Sequence, residues 1–234
     1  MKPTALSALL FLLSYGCAGP ETEHDPTQVA ERILDGAARA MGAWPISDSL
    51  QLMADASVAA PHGTFRTLIH SSADGRVRME QAHSGFLAGV GVSGGWMLNR
   101  DSSRIDELGG RLGFVISHEL HMLALHPRSR LSNPIFQGTV AFDSTEAFAI
   151  EMTLPTGNSL VSYYRLADTL PIGHFVPWAE PGVIVTWSDW AEIEGLLLFN
   201  SANFQQGEDN YRYDYERIEV RTFPDSTFEA PILF

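Results

Sequence analysis

The chain has 234 residues, of which 45% are hydrophobic and 18% are charged, so it is long and apolar enough to bury one sizeable core. Asp and Glu total 28 against 15 Lys and Arg, which gives a formal net charge of −13. Because nucleic-acid binding depends on a basic face that displaces counterions, this balance argues against nucleic acid as a partner.

The beginning of the chain has the features of an export signal. A positive second residue precedes the apolar run "ALSALLFLLSYG", which is too short for a comfortable membrane span. The run ends at Cys17, the only cysteine, and "LSYGC" resembles the bacterial lipoprotein signal, with Ser14 where Leu is usual. We therefore predict a signal peptide over 1–16, lipid attachment at Cys17 and a polar tether over 17–26. Cleavage after Ala18, which leaves a soluble periplasmic protein, is the alternative.

The segment "DPTQVAERILDGAARAMG" predicts the first helix. Asp25 is a favourable N-cap, Pro26 fits the first helical position and Gly42 suits the C-terminal stop. Apolar residues recur at a spacing of three to four from Val29 to Met41 and form one stripe. This stripe is expected to pack against another part of the fold.

After this helix the hydrophobic period changes to two, which is typical of strands with one apolar face. In "GTFRTLIHSSA", for example, Phe65 and Ile69 keep one phase. Similar strands are predicted in "SLQLMADASVAA", "GRVRMEQAHS", "FLAGVGVSG", "GWMLNRDSS", "IFQGTVAFDS", "AFAIEMTLP", "SLVSYYRLAD", "PIGHFVPW", "GVIVTWSDWAEIEG", "LLLFNSANF" and "DNYRYDYERIEVRTF". In the last of these the apolar phase changes, which predicts a bulge near Glu216 and Arg217.

In the middle of the chain, "ELGGRLGFVISHELHMLALHP" returns to a helical period and ends at a proline. One face of this predicted helix carries a docking stripe, formed by Leu112, Ile116, Leu120 and Leu123. The other face is also apolar and carries Phe114, Met122 and Leu125. A helix that is apolar on two sides is typical of one that covers an apolar opening, so we expect a lid.

Within this segment, "SHELH" raises the question of a zinc site. The zinc-protease signature His-Glu-x-x-His places its histidines four residues apart, whereas His118 and His121 lie three apart. A catalytic zinc needs three protein ligands, and His126 lies ~140° round the helix axis from His121. We therefore expect no metal and no cofactor, and we interpret the histidines as part of a solvated helix face. A zinc hydrolase that uses His118, Glu119 and His121 is the alternative enzyme.

Six segments carry a family resemblance through their order along the chain. They are "ARAMGAW", "SLQLMADASV", "SGGWMLN", "LADTLPIGHF", "WSDWAEIEGLLLFN" and "YDYERIEVRTFPDSTFEAP". In this order they resemble the LolA/LolB superfamily of bacterial envelope lipoprotein carriers and its outer-membrane lipoprotein-sorting relatives, from about Thr27 to Phe234. The sequence departs from that pattern at "AMGAW", where relatives often have Ala-x-Gly-Gly. The resemblance implies an incomplete antiparallel barrel with helices over its mouth, which binds acyl chains without catalysis.

These observations predict a mainly antiparallel β fold, in which residues 27–234 form a single domain. We expect an incomplete (half) β-barrel of about ten strands, with an N-terminal helix and a mid-chain lid helix. We expect its apolar ligand cavity to be lined by Phe65, Ile69, Val77, Met79, Trp96, Phe114, Met122, Leu125, Phe148 and Ile150.

The expected function is that of an envelope lipoprotein that binds a lipid or an acylated protein, as a carrier or acceptor and not as an enzyme. The lipid anchor is expected to attach it to the outer membrane, facing the periplasm, because Ala18 and not Asp follows Cys17. Besides the zinc hydrolase, the alternative is a ligand-free interaction or sensor module on the same scaffold. The sequence does not identify an envelope protein partner.

Overall fold

The structure, a computed structural model, describes residues 25–82, 84–99 and 103–233. Its first helix, α1, spans Pro26–Ala40 and begins at the predicted cap, where the Asp25 carboxylate accepts a hydrogen bond of 3.0 Å from the Thr27 amide. The helix ends before Gly42, whose φ of 74° favours glycine. The predicted signal peptide and Cys17 lie outside the described residues.

Thirteen strands of the described chain form a single antiparallel sheet. The first six are β1 Gln51–Ala60, β2 Gly63–Ser72, β3 Val77–Gln81, β4 Phe86–Gly91, β5 Gly94–Leu98 and β6 Ile105–Glu107. The other seven are β7 Ser132–Phe142, β8 Thr145–Thr153, β9 Ser159–Arg165, β10 Pro171–Val176, β11 Val183–Ile193, β12 Leu196–Gln206 and β13 Asp209–Val220. The mainly antiparallel fold is confirmed. The strand number exceeds the expected ten or so, partly because β6 is too short to show a period.

The strand order explains why the barrel is incomplete. It runs β6-β5-β4-β3-β2-β1-β13-β12-β11-β10-β9-β8-β7, so two meanders join where β1 pairs with β13. The two edge strands, β6 and β7, are consecutive in the sequence, and the segment between them must therefore pass from one edge of the sheet to the other. This segment contains two short helices, α2 Leu112–Ser117 and α3 Leu120–Leu125.

The expectation of one continuous lid helix is wrong, because the helix breaks at Glu119. This residue has non-helical backbone angles (φ −78°, ψ 53°). Its carboxylate accepts two hydrogen bonds from the Arg130 guanidinium, from Nη2 to Oε1 at 2.6 Å and from Nε to Oε2 at 2.7 Å. Both side chains are almost fully buried, at 0% and 3% exposure. The ion pair holds the break, so the helical phase of α2 does not continue into α3.

The helices bury apolar residues against different parts of the sheet. Helix α1 packs Ile33 and Leu34 into a cluster with residues of β8 and β9. Helix α2 packs Val115 onto β2 and β3, and α3 packs Leu120 and Met122 into the largest cluster, with residues of β1 and β11–β13. The helical segment thus lies across the inner face of the curved sheet. None of the helices in the described ranges is long and apolar enough to cross a membrane.

The predicted bulge in β13 is confirmed. The pairing of β13 with β1 skips Glu216, which leaves this residue without a partner in the register. Because a bulge shifts the phase of the following side chains, Tyr215 and Ile218 both pack against the same inner cluster despite their spacing of three.

The chain after β13 packs on the opposite, outer face of the sheet. Phe228 is fully buried there in a cluster with Met53 of β1. The Trp96 Nε1–H donates a hydrogen bond of 2.8 Å to the Phe228 carbonyl. Arg76 lies over the Phe228 ring at 4.8 Å and pairs with Asp225 at 2.5 Å. The C-terminal segment therefore covers the outer face of β1–β5.

Candidate functional site

A cavity of about 340 Å³ lies between α2 and the inner face of the sheet. Six of its thirteen lining residues are Phe, Tyr or Trp, namely Phe65, Phe114, Trp178, Phe204, Tyr211 and Tyr213. The other polar residues of the lining are Gln81, Ser117, His118 and Gln206. The volume lies within the range of about 300–1,000 Å³ that is typical of small-ligand pockets.

The described residues that line the cavity are uncharged. None of the described residues that line the cavity is Asp, Glu, Lys or Arg. Burial lowers the pKa of His118 to about 4, although its hydrogen bond to the Phe114 carbonyl acts in the opposite direction. Burial raises the pKa of Tyr213 well above its ordinary value. Both side chains are therefore uncharged at neutral pH, and the lining suits an apolar ligand because a buried charge would find no partner there.

His118 is fixed in the wall by neighbours on both sides. Its Nδ1–H donates a hydrogen bond of 2.8 Å to the Phe114 carbonyl. Its ring contacts the Phe114 ring, with centroids 4.3 Å apart, and stacks on Phe204 at 5.2 Å. Phe114 in turn meets Phe86 edge to face at 5.6 Å. These four rings form a continuous row, which we call the aromatic row, from β4 to β12.

The structure does not place the "SHELH" side chains around a common metal position. His121 Nε2–H donates a hydrogen bond of 2.9 Å to the Phe199 carbonyl, and its ring stacks on Phe199 at 4.1 Å. Glu119 pairs with Arg130. The described part of the chain contains no group of three His, Cys, Asp or Glu that could hold a metal ion.

The expectation of a solvated histidine face is wrong for His121 and for the neighbouring Glu119. His121 is 4% exposed and Glu119 is 1% exposed. Burial lowers the pKa of His121 to about 4, with the hydrogen bond to Phe199 opposing the shift. The prediction was wrong because it treated the segment as one continuous helix. The break at Glu119 places the side chains of Glu119 and His121 in the core.

Two of the ten predicted cavity residues line the cavity, Phe65 and Phe114. Met122 and Leu125 instead pack in the same core cluster as Leu120, at 0% and 1% exposure. They had been assigned to the face opposite Leu120, and the interrupted helical phase accounts for their different position.

The remaining predicted residues lie in neighbouring packing clusters or on the other face. Ile69, Val77 and Met79 pack beneath α2, and Phe148 and Ile150 belong to the cluster beneath α1. Trp96 lies on the outer face, where it bonds to the C-terminal segment. Because adjacent residues of a strand point to opposite faces, a difference of one residue in the phase of β5 places Trp96 on the outer face and not on the inner one.

Sequence reasoning missed most of the cavity wall. Phe204, Tyr211 and Tyr213 come from β12 and β13, and Trp178 follows β10. The alternation of Tyr211 and Tyr213 was a usable signal, since residues two apart share a face. Trp178 has no comparable signal, because it lies in a turn.

A second, more open recess of about 750 Å³ adjoins the cavity, and we call it the vestibule. Gln81 and Phe114 line both spaces. The vestibule is more polar, since its lining also includes Asn99, Asp106 and Arg111. The apolar cavity therefore has a more polar entrance, the vestibule.

Comparison with solved structures identifies the fold. The chain resembles the LolA superfamily protein NE2245 from Nitrosomonas europaea, with a TM-score of 0.60 and 16% identity over 86% of this chain and 97% of that one. It also resembles a DUF1329 family protein from Desulfovibrio piger, with a TM-score of 0.58 and 14% identity over 88% and 98% of the two chains.

A third similar structure is described as an outer membrane lipoprotein-sorting protein domain, from Vibrio parahaemolyticus. Its TM-score is 0.53 and its identity is 10%, over 85% of this chain and 97% of that one. No protein-family model and no curated protein matches the sequence. The chain therefore has a LolA-like fold, as the order of its sequence segments indicated.

Proposed function

We propose that the protein is an envelope lipoprotein whose inner cavity binds a lipid or the acyl chains of a lipoprotein, as a carrier or acceptor and without catalysis. The observation that carries this proposal is the uncharged, largely aromatic cavity beneath α2. The LolA-like fold supports it, because one similar structure is described as a lipoprotein-sorting domain.

The affinity for an acyl chain would come from the hydrophobic effect. Each buried methylene contributes about 0.8 kcal/mol, so a few methylenes against Phe114 and Phe204 already favour binding. The polar lining residues include Gln81, Ser117, His118 and Gln206, but none of the described lining residues is charged, so the apolar part of an amphiphile is the group that this cavity would recognise.

The hydrolase alternative has less support. Hydrolysis by zinc requires three protein ligands that converge on the metal. The rings of His118 and His121 are bonded to carbonyls of different elements, Phe114 in α2 and Phe199 in β12, and the described residues contain no group of three His, Cys, Asp or Glu that could hold a metal ion. Glu119 is held by Arg130 and is not available as a base. A ligand-free interaction module is the other alternative, and a ligand-binding experiment separates it from a carrier.

The proposed location is the periplasmic side of the outer membrane. It rests on the lipoprotein-type sequence that ends at Cys17 and on Ala18 after it. The description of the Vibrio parahaemolyticus domain as an outer membrane lipoprotein-sorting protein is consistent with an envelope location.

The test of this proposal is to fill the cavity. Ala179 lines it and is half-buried, so Ala179→Trp should occupy the space of the ligand. We expect this variant to bind dansylaminoundecanoic acid at least tenfold more weakly than the wild type, as measured by dansyl fluorescence. The matched control is Ala141→Trp, because Ala141 is exposed and lines a separate groove. Equal binding by both variants and the wild type would contradict the assignment of this cavity.

A further inference from the structure

The vestibule differs from the cavity in charge, and this difference carries an inference about the ligand. Asp106 and Arg111 are its charged lining residues in the described chain. Asp106 is already neutralised, because the Arg104 guanidinium bonds to it at 2.8 Å through Nε and at 3.3 Å through Nη2. Arg111 has no hydrogen bond or ion pair within the described ranges. Among the described residues that line the vestibule, Arg111 is therefore the one cation without a described carboxylate partner.

Three described arginines, Arg32, Arg39 and Arg111, have no carboxylate partner, and Arg111 is the one of these three that lines the vestibule. The net charge of −13 provides many carboxylates, and most described arginines are paired with one, including buried Arg130 and half-buried Arg76 and Arg128. Arg32 on α1 is also without a described partner, but it does not line the cavity or the vestibule. An arginine without a described carboxylate partner, next to an apolar cavity in an acidic protein, suits the anionic group of a bound ligand.

We propose that Arg111 binds the anionic head group of an amphiphile whose acyl chain occupies the cavity. This inference rests on the proposed function and specifies its ligand class. Phe114 lines both spaces and belongs to the aromatic row, so it provides a continuous apolar surface from the vestibule to the cavity. The uncharged cavity excludes the head group, and Arg111 binds the head group in the vestibule.

Two head groups share the required chemistry. The guanidinium binds a carboxylate or a phosphate through paired N–H donors, so a fatty acid and an anionic phospholipid would both fit. Because Arg111 is exposed, the ionic contribution should be modest. We expect the anionic probe to bind about two- to fivefold more tightly than its neutral form, the range of a solvent-exposed ion pair.

The experiment compares dansylaminoundecanoic acid with its methyl ester at low ionic strength, on the full mature protein. Wild type should prefer the acid, and Arg111→Gln should abolish that preference while binding the ester as the wild type does. Arg32→Gln is the matched control, since it removes the same charge away from both spaces, and it should retain the preference. Competition by palmitate and by lysophosphatidylglycerol, with lysophosphatidylcholine as the zwitterionic reference, shows whether carboxylate or phosphate is preferred.

The outcomes separate this inference from the proposed function. Equal binding of acid and ester by the wild type, or an unchanged preference in Arg111→Gln, would overturn the head-group assignment and leave acyl-chain binding intact. Failure of both probes to bind would contradict the proposed function itself.

Discussion

Replacing Glu119 tests how the helical segment is held on the sheet. In Glu119→Leu, the Arg130 guanidinium keeps its hydrogen bond of 2.9 Å to the Ser72 carbonyl but loses both carboxylate bonds. Arg130 is 3% exposed and so cannot recover these bonds from water. Removing one partner of a buried ion pair costs about 3–5 kcal/mol.

Two further variants complete a double-mutant cycle that isolates the interaction between the two charges. Arg130→Met also removes the donor to the Ser72 and Arg76 carbonyls, which costs about 1–3 kcal/mol for each group left unsatisfied. The double variant Glu119→Leu/Arg130→Met leaves no buried charge. Its destabilisation should therefore be smaller than the sum of the single effects by about 2 kcal/mol or more.

Urea unfolding gives the free energies of unfolding and thermal unfolding gives the melting temperatures, each followed by circular dichroism. We expect Glu119→Leu to lower the melting temperature by roughly 6–20 °C, at about 2–4 °C per kcal/mol for a chain of this size. Glu192→Leu is the matched control, because Glu192 is exposed and its replacement should change stability by no more than about 0.5 kcal/mol. A loss below about 1 kcal/mol in Glu119→Leu, or additive effects in the double variant, would contradict a stabilising role for the buried Glu119–Arg130 pair.

Three further predictions address burial, the outer face and the anchor. His174 is fully buried, and burial lowers its pKa to about 3, with nearby His118 acting in the same direction. Because the unfolded chain binds this proton more readily, the stability that neutral His174 contributes is complete above about pH 6.5 and is lost as the pH falls towards 3. His174→Phe should therefore flatten the decline of stability in acid, and an unchanged pH profile would contradict this. Phe228→Ala should cost about 3–5 kcal/mol in urea unfolding because Phe228 is 0% exposed, whereas Ile232→Ala, at 79% exposure, should cost little; equal effects would argue against a packed C-terminal segment. Cys17→Ser should move the protein from the membrane fraction to the soluble periplasm, and unchanged membrane retention on fractionation would contradict lipid attachment.

The sequence predicted the features that depend on local periodicity. Alternating side chains revealed most of the long strands, and Asp25 with Pro26 marked the start of α1. The phase change in β13 located the bulge at Glu216. These signals are local because neighbouring residues alone determine which side chains share a face.

The placement of the middle segment could not be predicted in this way. Its break depends on the pairing of Glu119 with Arg130, eleven residues later, and on carbonyls supplied by the β2–β3 region. No helical period contains this information, so the wheel assigned Met122 and His121 to faces that the folded chain does not present. The cavity wall likewise combines Phe65, Trp178 and Phe204 from distant strands and turns. Only the register and curvature of the sheet bring them together.

Acyl-chain binding in the cavity can be tested by native mass spectrometry of the protein purified from membranes. We expect an acyl-containing molecule to co-purify with the wild type and to be depleted in Ala179→Trp, whose side chain should fill the cavity. We expect the control Ala141→Trp to retain that molecule, since Ala141 lines a groove on another part of the sheet. Wild-type protein without bound lipid, or the same lipid content in all three proteins, would contradict acyl-chain binding in this cavity.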